Sequence, residues 1–358
     1  MKIAVDCRVK GNSGIKTFLD GILPYLNANG NKVLLIGSSE GEPCAVEPFS
    51  LRELFCFPKD VLRKINSCDV YFTPYCNVPR GVKIPVFSTI HDVIFLDMRL
   101  SGRIGTLARK FFYKRAARIS QTVFTVSAFS KERIQTHLGR NTKVRIVYNG
   151  VPRYVEAAKE HVGEVQKDGS IIFVGSIKKH KGLSLLLQAF ENLLQWSDVK
   201  HTLLIVGNRE NFRTKDSSVS TKIDEINAKF TAAVEFTGFV ENERLVVLLS
   251  KAKVLVLPSL YEGFGIPPLE AMSLGTKVLI SDIPTLQEIY EGFPVVFFHT
   301  GDADDLCEKL KAVLADDTPL GTIPQRYSYQ KTACAILDEF ETTLRLISLN
   351  KNRFLTSQ

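Results

Sequence analysis

Residues 258–275 read Pro258-Ser-Leu-Tyr-Glu-Gly-Phe-Gly-Ile-Pro-Pro-Leu-Glu-Ala-Met-Ser-Leu-Gly275. The run just before them, Val254 to Leu257, is short and wholly apolar and reads as a buried strand. After it, Pro267 and Pro268 suit a first helical turn, and Leu269 to Leu274 read as helix. The turn Gly263-Phe264-Gly265 therefore sits at the carboxyl end of a strand, with helix amides pointing out of it. Open parallel sheets bind nucleotides and phosphates at that position. Glycines let the backbone approach an anion and free the loop amides to donate. Glu262 and Glu270 bracket the turn. A carboxylate inside the helix can accept from two ribose hydroxyls. One in the loop is available to a hydroxyl-rich group next to the phosphate. Ribose, diphosphate and sugar together make a nucleotide-sugar. A plain strand-turn-helix with a solvated Glu would suit a lone Gly-Phe-Gly, but it suits the whole run poorly.

The same strand-helix alternation extends in both directions. The first half offers strands at Lys2–Asp6, Lys32–Ile36, Val70–Phe72, Val86–Thr89, Thr122–Val126 and Val144–Val147, with helices such as Gly14–Leu26 and Lys131–Leu138. The second half restarts with Ile171–Val174, Thr202–Val206, Val234–Phe236, Val254–Leu257, Lys277–Ile280 and Val295–Phe297. Two βα series with one break predict an α/β chain of two doubly wound domains. The polar stretch Pro152 to Ser170 is the expected linker. A helical stripe through Ala335, Ile336, Phe340, Leu344 and Ile347 closes the chain, with Lys351 to Gln358 expected as a frayed tail.

A length of 358 residues suits two domains. No run of eighteen apolar residues occurs, so no spanning helix is expected. Met1 to Asp6 reads as a first strand, not a signal peptide. Seven scattered cysteines without zinc spacing read as reduced thiols in a cytoplasmic protein. The net charge of +8 conceals an asymmetry. Residues 1–150 carry 23 Lys/Arg and 11 Asp/Glu, a net of +12, whereas residues 151–358 carry 23 and 27, a net of −4. Such a bias points to an anionic partner. No nucleic-acid motif stands out, and none is expected as a partner. Arg103, Lys110 and Lys114 share one flank of a predicted helix, at spacings of seven and four. Ile104, Leu107, Ala108 and Phe111 share the adjacent face. The segment reads either as a core-packed helix with a solvated basic side or as a surface that docks on anionic lipid, with peripheral localisation on the inner face of a membrane.

Further motifs lie at other strand ends. Ile171 to Gly175 reads as a strand ending in glycine, followed by Lys178, Lys179 and Lys181 ahead of a helix from about Leu183. Lysines before a helix N-terminus can offset the charge of a diphosphate. His91-Asp92 ends a strand, where a lone His is more often structural than catalytic. Gly11-Asn-Ser-Gly14 opens a helix and is weak evidence alone. Asp302-Ala-Asp304 has the form of a metal-binding Asp-x-Asp, but the stripe Leu306, Leu310, Val313 makes Asp302 a helix N-cap with Asp305 in the first turn. No metal site and no cofactor are expected.

Taken together, Tyr261-Glu-Gly-Phe-Gly-Ile-Pro-Pro-Leu-Glu-Ala-Met272 resembles the signature of retaining GT-B glycosyltransferases of family four (glycosyl transferases group 1). Phe173-Val-Gly-Ser-Ile-Lys-Lys-His-Lys-Gly182, Thr89-Ile-His-Asp-Val93, Val126-Ser-Ala-Phe-Ser-Lys131, Tyr148-Asn-Gly-Val151 and Phe236-Thr-Gly-Phe239 resemble other family segments, in the family's order. The resemblance implies a GT-B fold of two Rossmann-like domains facing a cleft. Residues 1–155 would bind the acceptor and 169–334 the nucleotide-sugar, with 335–350 crossing back to the first domain. It implies donor contacts from Lys181, Lys178, Gly175, Gly263, Phe264, Gly265, Glu270 and Gly14, and catalytic roles for Glu262 and His91. Arg8 and Asp92 fall on the acceptor side. The family often has Arg near Lys181; here the second cation is open between Lys179 and His180. The implied activity is metal-independent, retaining transfer of a hexosyl group from a nucleotide-sugar to a hydroxyl of a glycan acceptor, lipid-linked, in capsule or O-antigen polysaccharide synthesis. A nucleotide-sugar epimerase or hydrolase, and a non-catalytic nucleotide-sugar-binding subunit, are the alternatives on the same fold.

Overall fold

A computed structural model describes every residue except 10–12, 29, 101, 160–164, 197–200, 208–216, 232, 239 and 357–358, and the side chains of 217 and 351–356. The chain forms two compact units, Met1–Gly150 with Tyr327–Gln358, and Val151–Arg326.

The first unit runs β1 (Lys2–Asp6), α1 (Gly14–Leu26), β2 (Lys32–Ile36), α2 (Leu51–Phe55), α3 (Lys59–Ile65), β3 (Val70–Thr73), β4 (Val86–Thr89), α4 (Ile94–Asp97), α5 (Gly102–Ile119), β5 (Thr122–Thr125), α6 (Ala128–Leu138) and β6 (Val144–Ile146). The second runs α7 (Arg153–Lys159), β7 (Ile171–Val174), α8 (Leu183–Trp196), β8 (Leu203–Val206), α9 (Ser217–Phe230), β9 (Val234–Gly238), α10 (Asn242–Lys251), β10 (Val254–Leu257), α11 (Ile266–Ser273), β11 (Lys277–Ser281), α12 (Pro284–Tyr290), β12 (Val296–Phe298) and α13 (Ala303–Ala315). The last helix, α14 (Tyr329–Thr356), belongs to the first unit.

Each unit is built on a parallel six-stranded sheet. The orders are β2-β1-β3-β4-β5-β6 and β12-β11-β10-β7-β8-β9. The winding direction reverses between β1 and β3 in one sheet and between β7 and β10 in the other. Open α/β sheets leave a crevice outside the strand carboxyl ends at such reversals. The inner strands are buried on both faces, which is why β10 reads as an unbroken apolar run rather than an alternating one and why even the threonines of β3 and β5 are buried. Their cores are continuous with the helices: in the second unit Phe173, Leu186, Phe190, Ile205 and Val256 pack with Leu306 and Leu310 of α13.

α14 packs on α1 because Ala333, Ile336 and Phe340 recur on one helical face and bury against Phe18, Leu19 and Ile22. Phe340 sits with its ring centroid 4.4 Å from that of Phe87. Burying one such side chain contributes about 1.5–3 kcal/mol. Glu339, on the same helix, is buried and accepts from Thr122 Oγ1 (2.7 Å), Lys143 Nζ (2.6 Å) and Arg145 Nη1 (2.8 Å).

Three boundaries differ from expectation. The first unit ends at Gly150, not 155, because α7 packs on α10 and α11 of the second unit. The return to the first unit begins at Tyr327, not 335, where Thr332 Oγ1 donates to Tyr148 O and the Tyr329 hydroxyl lies 3.5 Å from Asn149 Oδ1. The tail expected to fray from Lys351 continues as helix to Thr356. Of the quoted motifs, Gly11, Asn12 and Phe239 lie outside the described residues, as do 160–164 of the expected linker.

Candidate active site

The second unit's reversal point brings together two loops that are far apart in sequence. β7 ends at Val174, and the chain passes Gly175 into one turn of 3₁₀ helix, Lys179–Lys181, before α8. β10 ends at Leu257 and leads through Ser259 and Glu262 into α11. Because β7 and β10 are paired neighbours, their loops meet. Lys181 Nζ lies 2.7 and 2.9 Å from the two carboxylate oxygens of Glu262, and Ser259 Oγ donates to Glu262 Oε1 at 2.7 Å. The main chain is stitched as well: Leu260 N donates to His180 O at 2.7 Å, and Thr285 Oγ1 donates to Glu262 O at 3.0 Å.

Two glycines make this closeness sterically allowed. Gly182 has φ +70°, and a Cβ there would stand 1.8 Å from Pro258 O. Gly265 has φ +83°, and a Cβ there would meet Leu286 Cδ2 at 2.8 Å. Both are left-handed conformations that favour glycine. Gly265 caps the start of α11, with Pro267 and Pro268 in its first turn and the Tyr290 hydroxyl donating to its carbonyl.

Glu270 sits one turn further into α11 and is 5% exposed. Burial pushes its carboxyl up to about 7, against a hydrogen bond from the Tyr154 hydroxyl that favours the charged form. Tyr154, on α7, is a site residue that the sequence reading missed. It lies seventeen residues before β7 in a stretch with no motif, and only the packing of α7 on α11 brings it there. His180 is buried, and desolvation followed by the neighbouring Lys181 charge lowers its pKa to about 4. It is neutral near pH 7, while Lys178 and Lys179 beside it are exposed. Gly175 is partly buried, with only the Phe173 ring at ordinary contact distance from where a Cβ would stand.

In the first unit, His91 follows β4. Its Nε2 is 2.9 Å from Pro74 O, and a carbonyl only accepts, so Nε2 carries the proton and Nδ1 keeps its lone pair. Desolvation lowers the ring's pKa to about 4, and it stands edge-on to Phe18 at 5.1 Å. A neutral imidazole can accept or donate a hydrogen bond but offers no cation at pH 7. Asp92 Oδ1 accepts from Ile94 N at 3.0 Å, a local turn contact just ahead of α4. Gly14 starts α1, with Ser13 Oγ accepting from Lys16 N, and a Cβ there would meet no atom of the described residues within 4 Å.

Arg8, expected on the acceptor side, is 2% exposed and engaged inside the unit. It donates to Asp6 through Nε and Nη2, to Glu53 through Nη2, and to Val46 O at 3.1 Å. Burial opposes its charge, but Asp6 beside it holds its pKa far above the ordinary value. Asp6 also accepts from the Tyr71 hydroxyl at 2.7 Å, and Glu53 from Asn77. This buried network braces the end of β1. Asp302 accepts from the amides of Asp304 and Asp305, both at 3.0 Å, and is the N-cap of α13.

Comparison with known proteins gives the following. The family profile described as "Glycosyl transferases group 1" matches residues 155–332, and that described as "Glycosyltransferase Family 4" matches residues 12–153. The chain is 31% identical over 181 residues to the O-antigen chain mannosyltransferase RfbU of Salmonella typhimurium, covering 50% of this chain and 47% of that protein. It is 27% identical over 263 residues to O-antigen chain mannosyltransferase B of Escherichia coli, covering 70% and 66%. The chain thus spans about half the length of the first relative and about two thirds of the second. Among solved structures, Anabaena Alr3699/HepE in complex with UDP and glucose superposes with a TM-score of 0.67 over 100% of both chains, at 17% identity, a likeness of fold.

Proposed function

The chain belongs to glycosyltransferase family four, the glycosyl transferases group 1, with the GT-B fold, and from that premise we propose that it is a retaining, metal-independent mannosyltransferase acting on a nucleotide-sugar. The observation that carries the reading is the Lys181–Glu262 pair beside the Gly263–Gly265 turn, at the reversal point of a parallel sheet. Mannose as the transferred sugar is supported by the names of the two relatives. The acceptor is a hydroxyl of a growing, lipid-linked glycan in cell-surface polysaccharide synthesis.

Glu270 accepts from the ribose hydroxyls. Lys181 and the amides of Gly263, Phe264 and Gly265 hold the diphosphate, with Lys178 at the rim and Gly175 allowing close approach. Binding the diphosphate draws Lys181 towards the phosphates and releases Glu262 to the sugar hydroxyls. There its carboxylate stabilises positive charge developing at the anomeric carbon. The glycosidic C–O bond to the phosphate breaks as the acceptor oxygen attacks from the same face. The departing phosphate oxygen takes the acceptor proton, so the configuration is kept. Neutral His91 orients the sugar and acceptor by hydrogen bonding, and Asp92 flanks it. A cation-rich, amide-lined phosphate site takes the charge-neutralising role that a divalent ion would otherwise have.

The test is incubation with nucleotide-activated mannose and an oligosaccharide acceptor, with the product linkage read by NMR. An axial donor giving an axial linkage is expected. An inverted linkage, or transfer of glucose in preference to mannose, contradicts the reading.

A further inference from the structure

α5 presents its apolar side to solvent. Ile104, Leu107 and Phe111 are 86%, 67% and 57% exposed, and they recur at spacings of three and four along one face. The opposite face carries the buried Tyr113 and Ala116. On that buried side Arg109 stacks on the Phe95 ring at 3.5 Å. At the C-terminal end of the exposed stripe, one turn after Phe111, an Arg115 guanidinium nitrogen donates to Val78 O. Of the two readings the sequence left open, the core-packed one does not hold for Ile104, Leu107 and Phe111. Met98 and Leu100, just ahead of the helix, are also exposed and extend the patch.

The charge around this patch has one sign. α5 contains six Lys or Arg and no Asp or Glu. Arg103, Lys110 and Lys114 line one edge of the exposed apolar stripe, and Arg118 follows it at the C-terminal end. Nucleic acid would match the charge but not three large aliphatic and aromatic side chains. A convex helix with an apolar ridge between cations suits the boundary between acyl chains and anionic headgroups. No described helix is long and apolar enough to cross a membrane, so the contact lies in the interface plane.

We propose that α5 docks this protein on an anionic lipid bilayer, with Ile104, Leu107 and Phe111 entering the acyl boundary and Arg103, Lys110 and Lys114 pairing with headgroup phosphates. The proposal rests on the first unit alone and stands independently of the donor reading.

The test is co-sedimentation of the full chain with vesicles of phosphatidylglycerol or of phosphatidylcholine. Wild-type protein pellets with phosphatidylglycerol at low salt and is largely released at high salt, where charges are screened beyond about 3 Å. Leu107→Asp with Phe111→Asp leaves it in the supernatant. Both positions are exposed, so the variant keeps the wild-type melting temperature. Arg103→Gln, Lys110→Gln and Lys114→Gln together weaken binding roughly a hundred-fold, from about five-fold per cation. Equal pelleting with phosphatidylcholine, no pelleting with phosphatidylglycerol at low salt, or an unaffected Leu107/Phe111 variant overturns the proposal. So does a wild-type dimer in sedimentation equilibrium without lipid that Leu107→Asp dissociates, since a second copy would then cover the face.

Discussion

Lys181 and Glu262, 81 residues apart, form a two-pronged ion pair where the loops after β7 and β10 meet, with Nζ 2.7 and 2.9 Å from the carboxylate oxygens. The pair sets up a reciprocal experiment. Glu262→Ala removes the partner that holds Lys181 and leaves the ammonium free for phosphate. Nucleoside diphosphate affinity in this variant is expected to be equal to or tighter than wild type, while kcat falls by about a hundred-fold or more. Lys181→Ala should do the reverse and raise Kd by about tenfold or more, as loss of a charge-assisted hydrogen bond implies. Calorimetry with steady-state kinetics separates the two. Glu262→Ala weakening nucleotide binding more than Lys181→Ala would mean the roles are exchanged.

Glu270 makes binding pH-dependent. Its folded-state pKa is raised to about 7 by burial, so in the empty site it is protonated through most of the acidic range. Ribose hydroxyls donate to the ionised form, so binding releases a proton below pH 7. Affinity should tighten by up to about tenfold per pH unit as pH rises towards 7, then level off. Glu270→Gln should flatten that part of the profile; a slope unchanged in the variant would assign it to the ligand's phosphate. The same shift affects the empty protein. A raised acid pKa contributes stability present below the unfolded value of about 4.5 and lost as pH rises through about 7, of order 3 kcal/mol at most. Nucleotide should therefore raise the melting temperature more at pH 8 than at pH 5.

Gly182→Ala tests the close approach of the two site loops. The new Cβ meets Pro258 O at 1.8 Å in a left-handed backbone. The cost should be roughly 2–4 kcal/mol, with the β7 and β10 loops forced apart. Melting by circular dichroism, together with nucleotide titration, reads both effects. Wild-type behaviour in both would show that the loops need not be so close.

Glu339 ties α14 to the first sheet. Burial alone would raise its pKa, but hydrogen bonds from Lys143, Thr122 and Arg145 outweigh it and hold the carboxyl below its usual value. A depressed acid pKa contributes stability present above the unfolded pKa and lost as pH falls through the folded one. Glu339→Gln should destabilise by about 1–3 kcal/mol at pH 7 and by progressively less below about pH 4.5. A constant difference across that range would contradict the ionised, hydrogen-bonded role.

Much of this was legible in the chain. The apolar runs at 254–257 and 171–174 declared buried parallel strands, and Gly263 to Pro268 declared the turn into α11, because strand burial and helix starts are local properties. Asp302 as an N-cap was likewise local. What escaped depends on tertiary neighbours. Arg8 fell on the acceptor side by resemblance, but Asp6, Val46 O and Glu53, the last 45 residues away, hold it as a buried structural cation. Tyr154 carries no pattern until α7 packs on α11. Periodicity located the apolar face of α5, but whether that face meets core or solvent is decided by which side packs on the sheet, and Tyr113 and Ala116 take that side.

The most direct measurement is calorimetric titration of nucleoside diphosphates and their mannose conjugates into wild-type, Lys181→Ala and Glu270→Ala proteins. One nucleotide of the panel is predicted to bind wild type without added metal and in the presence of EDTA. Glu270→Ala should weaken it by about tenfold or more through lost ribose hydrogen bonds to a charged acceptor, and Lys181→Ala comparably through the diphosphate. If no nucleotide binds the wild-type protein, or if both variants bind as tightly as wild type, the assignment of the β7–β10 crevice as the donor site is contradicted.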